Sequence, residues 1–361
     1  MPNKALHPVL KGRGASINPT GRFESIEIIP DPEFLDFQEL DPDAAHSQKT
    51  RYFVDDAKTI VTTNDSPDIG MDTSMNIYRG CEHGCIYCYA RPGHEYFGLS
   101  VGLDFETKIF VKTKAPQLLR EKLSSKSWQP TPVVMSGVTD CYQPIERELK
   151  LTRQCLQVFL DHRNPVGIIT KNHLITRDID ILSELASRQL VNVFLSVTTL
   201  DPELARIMEP RTAQPHRRLD AIRQLSEAGI PVGVMMAPII PGLTDWEIPR
   251  LFKAIAAAGA RTVGFKIVRL PHGNKDLFET WLADHFPDKQ KKVLNRIKDT
   301  YGGKLYDATY GVRGSGTGLY ADHIKNQVKL YKHRYGLTQR MKPLSVDAFR
   351  RTPEAEQLSL L

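Results

Sequence analysis

Six short apolar runs, each separated from the next by a longer stretch, constrain this chain more than any other feature. The runs occupy residues 74–78, 132–138, 165–171, 192–198, 231–240 and 262–270. Between them, amphipathic stretches at 148–161, 178–188, 217–228 and 246–258 carry the period of helices, and several are followed by a glycine suited to a helix C-cap. Strands that are apolar on both faces and joined by helices require a parallel sheet whose outer side is covered. Six such units are fewer than the eight of a full barrel. The expected fold class is therefore α/β, a partial (βα)6 TIM-like barrel with N- and C-terminal extensions. Residues 1–70 are rich in Pro, Asp, Gly and Asn with little periodicity and read as an N-terminal extension. Residues 71–275 read as the core domain and 276–361 as a helical C-terminal extension. In such a barrel the functional side chains come from the C-terminal ends of the strands and the loops after them.

The first of those loops holds Cys81, Cys85 and Cys88 in a C-x3-C-x2-C spacing. Five cysteines in all, an odd number with three inside eight residues, argue for metal ligation over a disulfide framework. Fe–S clusters usually take four thiolates, so three from one local motif leave one iron open to a substrate. The competing reading is a closed Cys3His zinc site completed by His83 or His94, in a non-enzymatic nucleic-acid-binding protein. Cys155, inside an amphipathic stretch, reads as a buried small hydrophobe. With 41% hydrophobic and 25% charged residues the composition is that of an ordinary globular protein. No apolar run approaches the ~20 residues of a membrane span, and the first residues lack the apolar middle of a secretory signal. A cytoplasmic location without a membrane partner is expected. The net charge of +6, from 48 Lys+Arg against 42 Asp+Glu, permits a nucleic-acid partner without requiring one. The basic residues at 211–218 and 325–342 read as solvated helix faces.

The cysteine motif, with an aromatic at Tyr87 and following the first strand of a six-fold βα pattern, resembles the radical S-adenosylmethionine (radical SAM) superfamily over residues 74–270. The resemblance implies a [4Fe-4S] cluster on Cys81, Cys85 and Cys88, and S-adenosylmethionine on the open iron. It implies reductive cleavage to a 5′-deoxyadenosyl radical that abstracts hydrogen from a substrate, the cofactors supplying the difficult chemistry. An electron donor such as a flavodoxin or ferredoxin follows as a partner. The resemblance also implies cofactor contacts. Gly137, Thr139 and Asp140 stand where the family offers a Gly-rich turn to the methionine amino group, although the usual Gly-Gly-Glu is absent; the oxygens of Thr139 and Asp140 would accept from the ammonium. Lys171 would meet the carboxylate. Ser196, ahead of Thr198 and Thr199, would meet the ribose, and Gly242 would let backbone approach the adenine. Tyr87 belongs to the same set, and Arg211, in the cluster Glu209-Pro210-Arg211, would close over the carboxylate. The alternatives are structural: a turn and N-cap at 137–140, Ser196 and Thr198 satisfying each other on one strand face, and a surface ion pair for Arg211.

Within the superfamily the chain resembles proteins grouped with spore photoproduct lyase, which reverses a thymine dimer in DNA. Cys141, with Tyr89 and Tyr87 flanking Cys88, resembles that lyase's hydrogen-donor cysteine and tyrosine relay. Cys141 and Tyr89 are therefore the candidate catalytic residues, and nucleic acid the candidate substrate, with a small metabolite as the alternative. The motif around Cys141 also resembles relatives in which a proline commonly holds its position, and Cys141 otherwise reads as a buried small hydrophobe. The Gly- and Arg-containing stretches 11–18 and 311–318 resemble phosphate-cradling loops without matching a known fingerprint, with flexible linkers as the alternative. Oligomeric state is not legible in the sequence.

Overall fold

In chain order the strands are β1 (Arg51–Val54), β2 (Val61–Thr63), β3 (Thr73–Met75), β4 (Tyr78–Arg79), β5 (Lys108–Val111), β6 (Val133–Met135), β7 (Val166–Thr170), β8 (Val191–Ser196), β9 (Val232–Ile239) and β10 (Thr262–Ile267). The structure is a computed structural model that describes residues 10–23, 49–68, 70 and 72–352. Parts of the segments 1–70 and 276–361 thus lie outside the described residues. Seven strands form one sheet in the order β10-β9-β8-β7-β6-β3-β2. It is parallel from β3 through β10, with β2 antiparallel along β3. Because the order follows the chain without reversal, every right-handed crossover moves the same way. The crossover helices α1 (Ala115–Ser124), α2 (Leu151–His162), α3 (Ile179–Ser187), α4 (Pro215–Glu227) and α5 (Ile248–Ala257) therefore cover one face, and α1 packs on α2, α2 on α3 and α4 on α5. The sheet curls around its other face. Its edges β2 and β10 do not pair, so the barrel is partial and stays open between them.

The first apolar run, expected as one strand over 74–78, is divided between two sheets. β3 ends at Met75, and β4 pairs with β5 in a second sheet of order β1-β5-β4. Asn76 ends the pairing, because its side-chain oxygen takes the N–H groups of Val138 (2.9 Å) and Thr139 (3.2 Å). β1, β2 and β5 lie in stretches that carry no periodic signal. They are three or four residues long, and β1 is exposed throughout, so no inward-facing pattern marks it.

The Gly-rich stretch 311–318 spans the open side of the barrel. The carbonyl of Gly314 accepts the N–H of Ile267 on β10 at 2.9 Å. The Gly311 N–H and Arg313 guanidinium both donate to Asp68, five residues past β2, at 2.7 Å. Its donors are spent on a carboxylate of the same chain, which corrects both the phosphate-cradle and the flexible-linker readings. Helices α6 (Asn274–His285), α7 (Pro287–Asp299) and α8 (Gly318–Arg334) follow β10; α6 packs on α7, and α8 lies on α5. Among the described residues no helix is long and apolar enough to cross a membrane.

Candidate active site

The cysteine loop runs from β4 into a 3-10 turn at Arg91–Phe97. Cys81 and Cys85 are each 7% exposed and Cys88 is half-buried; all five cysteines are free thiols. The loop backbone is tied down by Cys81 N–H to the Phe105 carbonyl (2.9 Å), Ile86 N–H to Met208 (3.0 Å) and Arg211 N–H to His83 (3.4 Å). Underneath, the fully buried Arg91 donates to the carbonyls of Gly84 (3.2 Å), Cys85 (3.0 Å), Val101 (3.0 Å) and Gly102 (2.9 Å). It pairs with the equally buried Glu106 at 2.5 Å. Glu106 also accepts the N–H groups of Gly14 (3.0 Å) and Ala15 (2.9 Å). A Cβ on Gly14 would lie 1.8 Å from the Gly84 carbonyl oxygen, and one on Gly84 would lie 2.7 Å from a Glu106 oxygen, so both positions need glycine. The stretch 11–18 is thus packed against the cysteine loop, a correction to its reading as a phosphate loop or a linker.

Burial pushes the Cys81 and Cys85 thiols up. Cys81 is raised further by Asp140 and by its neighbours Cys85 and Cys88, while at Cys85 the charge of Lys171 opposes the rise. Buried thiols that oppose one another's ionisation lose their protons readily only to a cation. Among the described residues no three His, Cys, Asp or Glu side chains stand as placed to hold a metal ion. The fit to an iron–sulfur cluster therefore rests on donor chemistry: adjacent, free, soft donors on one short loop. A Cys3His zinc centre fits less well, because both imidazoles are committed elsewhere. His83 lies between Asp140 (Nδ1, 3.3 Å) and Asn172 (Nε2, 3.3 Å), and His94 Nε2 bonds the Lys108 carbonyl at 3.0 Å.

Burial pulls His94 down to about 4. It is neutral in the fold, whereas an unfolded histidine takes up a proton below about pH 6.5. Its contribution to stability is therefore full above that pH and is lost as pH falls from about 6.5 to 4. Chemical unfolding of the wild type should give about 2 kcal/mol more stability at pH 7 than at pH 5 from this group. His94→Gln should lose that difference, and an equal pH slope in both proteins would exclude it.

At the strand ends, Asp140 receives the N–H of Tyr142 (2.9 Å), the Thr170 hydroxyl (2.7 Å), the Lys171 N–H (2.8 Å) and the His83 ring. Burial alone would raise its carboxyl, but His83 and the donors outweigh burial and hold it at about 2. Its lone pairs are occupied by protein, and it joins β6, β7 and the cysteine loop. The Thr139 hydroxyl is spent on the Tyr78 carbonyl (2.7 Å), and the Gly137 carbonyl takes the Tyr89 hydroxyl (2.5 Å). The Lys171 ammonium sits 5.9 Å from the centre of the Tyr87 ring. The Tyr87 hydroxyl donates to the buried Glu209, which pairs with the buried Arg218; Arg218 also bonds the Ser196 carbonyl at 3.1 Å. The Thr199 hydroxyl is spent on Glu247 (2.5 Å). Thr198 Oγ1, Gln214 Oε1 and Asn274 Oδ1 are buried without a hydrogen-bond partner among the described residues. Such atoms are rare in folded proteins. They leave a hydroxyl and two amide oxygens unsatisfied inside the fold. Asn274 also holds the Cys88 carbonyl at 2.7 Å.

Three candidates lie elsewhere. The Gly242 N–H is held by Asp245 (3.0 Å), and its open side faces Arg296 and Val293 of α7. Arg211 is on the outer side of the loop, bonded to Glu82 (2.8 Å) and Thr50 (3.2 Å). Arg211 is thus in an ion pair, the structural alternative for it, with Glu82 as its partner, while Glu209 turns inward to Arg218. Cys141 is 1% exposed, its N–H on Ser136 Oγ (2.8 Å), and burial pushes its thiol well up. Sequence reasoning missed Arg91, Glu106, Arg218 and Asn274, because no local motif marks a charge whose partner is buried with it.

Tyr89, 45% exposed, links the loop beyond β6 to the loop beyond β10. Its hydroxyl reaches Gly137 beyond β6, and the guanidinium of Arg269, beyond β10, lies 4.1 Å over its ring. Arg269 makes no ion pair among the described residues. A cleft opens here, lined by Arg22, Tyr89, Tyr96, Arg269, His272 and Tyr306 among others.

A family model described as the radical SAM superfamily matches residues 75–255, half of the chain. An uncharacterized protein of Mycobacterium tuberculosis is 36% identical over 230 residues. The match covers 63% of this chain and 66% of that protein, just under two thirds of its length. A spore photoproduct lyase variant superposes with a TM-score of 0.57 at 16% identity, covering 87% of this chain and 86% of that one. The same lyase complexed with dinucleoside spore photoproduct gives 0.55 at 14% identity over 79% and 78%. At these identities the superpositions speak for the fold.

Proposed function

This chain belongs to the radical SAM superfamily; from that premise we propose that it is an enzyme using a [4Fe-4S] cluster and S-adenosylmethionine, whose substrate is a nucleic acid held in the cleft beside Tyr89 and Arg269 and processed in a repair-type reaction. When bound, the cluster and S-adenosylmethionine supply a 5′-deoxyadenosyl radical by reductive cleavage. In this reading Cys81, Cys85 and Cys88 hold the cluster, Lys171 receives the cofactor carboxylate, and Thr198, Ser196 and Gln214 receive its polar groups. The buried pairs Arg91–Glu106 and Arg218–Glu209 keep the loop in place, and the packed barrel excludes water from the radical.

The observation that carries the substrate reading is the Tyr89–Arg269 stack in this cleft. A guanidinium on an aromatic face, without a carboxylate partner among the described residues, suits a phosphate beside a stacked base. Tyr96 and Tyr306 extend the aromatic lining. In the same fold, spore photoproduct lyase accommodates a dinucleoside. Cys141, with its thiol kept protonated, has the S–H bond that a hydrogen-atom donor needs. Reaching it would require the turn at Ser136 to move, a residue with φ +72° whose hydroxyl holds the Cys141 N–H.

The test is 5′-deoxyadenosine formation by anaerobically reconstituted, dithionite-reduced protein, with and without ultraviolet-irradiated oligonucleotide, followed by analysis of the nucleotide products. Damaged DNA should stimulate turnover and be altered. Arg269→Ala should weaken oligonucleotide binding about tenfold and flatten its salt dependence while leaving DNA-free cleavage intact. Cys141→Ala should still form 5′-deoxyadenosine but lose the nucleotide product. Unchanged product would return Cys141 to the core, and indifference to every oligonucleotide would favour a small metabolite.

A further inference from the structure

The substrate cleft lies at the Tyr89 end of the cysteine loop, and a second cleft opens at its Cys81 end. Lys11, Arg13, Lys49 and Arg211 line it, together with Thr50, Tyr52 and Glu82, so that among the described residues the lining holds four cations and one carboxylate. Arg13 and Arg211 converge on a single hydroxyl, Thr50 Oγ1, at 3.1 and 3.2 Å. Burial and then the nearby Arg211 charge lower the pKa of Arg13. Glu106 and Glu82 offset that repulsion in part, and Lys11 and Lys49 add two ammoniums that make no ion pair among the described residues. Glu82 itself is buried at the floor, where it accepts the Tyr52 hydroxyl (3.0 Å) and Arg211 (2.8 Å).

The position of the cleft matters as much as its charge. Glu82 directly follows Cys81, so the floor lies one peptide unit, about 3.8 Å between Cα atoms, from a proposed cluster ligand. Tyr52, 45% exposed, connects the surface to that floor through its hydrogen bond. This is a place where solvent-facing cations and the cysteine loop share residues, away from the cleft where substrate is proposed to bind.

We propose that this cleft is the docking surface for an acidic one-electron carrier protein that reduces the cluster. The proposal rests on the radical SAM reading. Lys11, Lys49 and Arg211 meet the acidic rim of the carrier, whose reduced flavin or iron–sulfur group faces Glu82 and Tyr52. One electron leaves the carrier, which is oxidised by one unit, and enters the cluster, which is reduced by one unit; no bond breaks and no atom is transferred. Charge complementarity favours an acidic protein over a nucleic acid here. An acidic protein rim needs only the cations, whereas the aromatics Tyr89, Tyr96 and Tyr306, on which the bases of a nucleic acid would stack, all line the other cleft.

The test uses the reconstituted holoenzyme, with reduced flavodoxin as the acidic carrier and dithionite as a small reductant that needs no docking. In the double variant Lys11→Glu/Lys49→Glu, carrier-driven 5′-deoxyadenosine formation should fall about tenfold and lose its dependence on ionic strength. Dithionite-driven formation should stay at the wild-type level. Titration of oxidised carrier into the protein, which does not depend on turnover, should show the same weakening. Equal carrier-driven rates in variant and wild type would overturn the proposal, as would loss of oligonucleotide binding with carrier binding intact. Absence of dithionite-driven cleavage in the wild type would overturn the radical SAM reading itself, a separate failure.

Discussion

Alanine at any one of Cys81, Cys85 or Cys88 is expected to abolish the brown, iron- and sulfide-containing form of the protein and to lower 5′-deoxyadenosine formation by about a thousandfold or more. Removing one thiolate from a three-ligand loop leaves a second iron without a protein ligand. Cys155→Ala is the control. Its thiol is fully buried inside α2, so the substitution should cost some stability and leave iron content unchanged. Iron and sulfide analysis after anaerobic reconstitution, with zinc assayed in parallel, checks the assignment. Full iron loading in all three variants would remove these residues as ligands, and a stoichiometric, colourless zinc protein would revive the Cys3His alternative.

The second large effect is expected away from the thiols. Arg91→Ala removes a guanidinium with no solvent exposure that holds four backbone carbonyls and pairs with Glu106 at 2.5 Å. It leaves Glu106 buried without its charge partner, and breaking such a pair from one side costs about 3–5 kcal/mol. The melting temperature should fall by roughly 5–10 °C. Iron loading of the fraction that remains folded should fall too, because the Gly84 and Cys85 carbonyls lose their anchor. Glu106→Gln keeps an acceptor for Gly14 or Ala15 and should cost less than Arg91→Ala. Differential scanning calorimetry of the metal-free proteins separates the stability loss from iron binding. An unchanged melting temperature in Arg91→Ala would show that the loop is held by other means.

The six apolar runs and the helical stretches between them were enough to specify a parallel sheet that closes only in part into a barrel. Periodicity reports which residues are buried, and right-handed crossovers leave few ways to connect them. The cysteine loop was equally legible, since its three thiols lie within eight residues and need no distant partner to be recognised. The tertiary structure decided the rest, wherever a residue's role depends on what it meets. Tyr78 left the first strand for a second sheet because β5 was there to pair with it. Glu209 turned to Arg218 while Arg211 turned outward to Glu82, two ion pairs that neighbouring sequence positions do not distinguish. Gly14 is needed where it meets Gly84, and Glu106 serves the cysteine loop from ninety-two residues beyond Gly14. Tyr89 meets Gly137 and Arg269 only because the fold brings the loops beyond β6 and β10 to the cysteine loop. Burial follows from local pattern, whereas the pairing of charges and the lining of a cleft depend on which distant segments the fold brings together, and desolvation then decides which of those encounters survive.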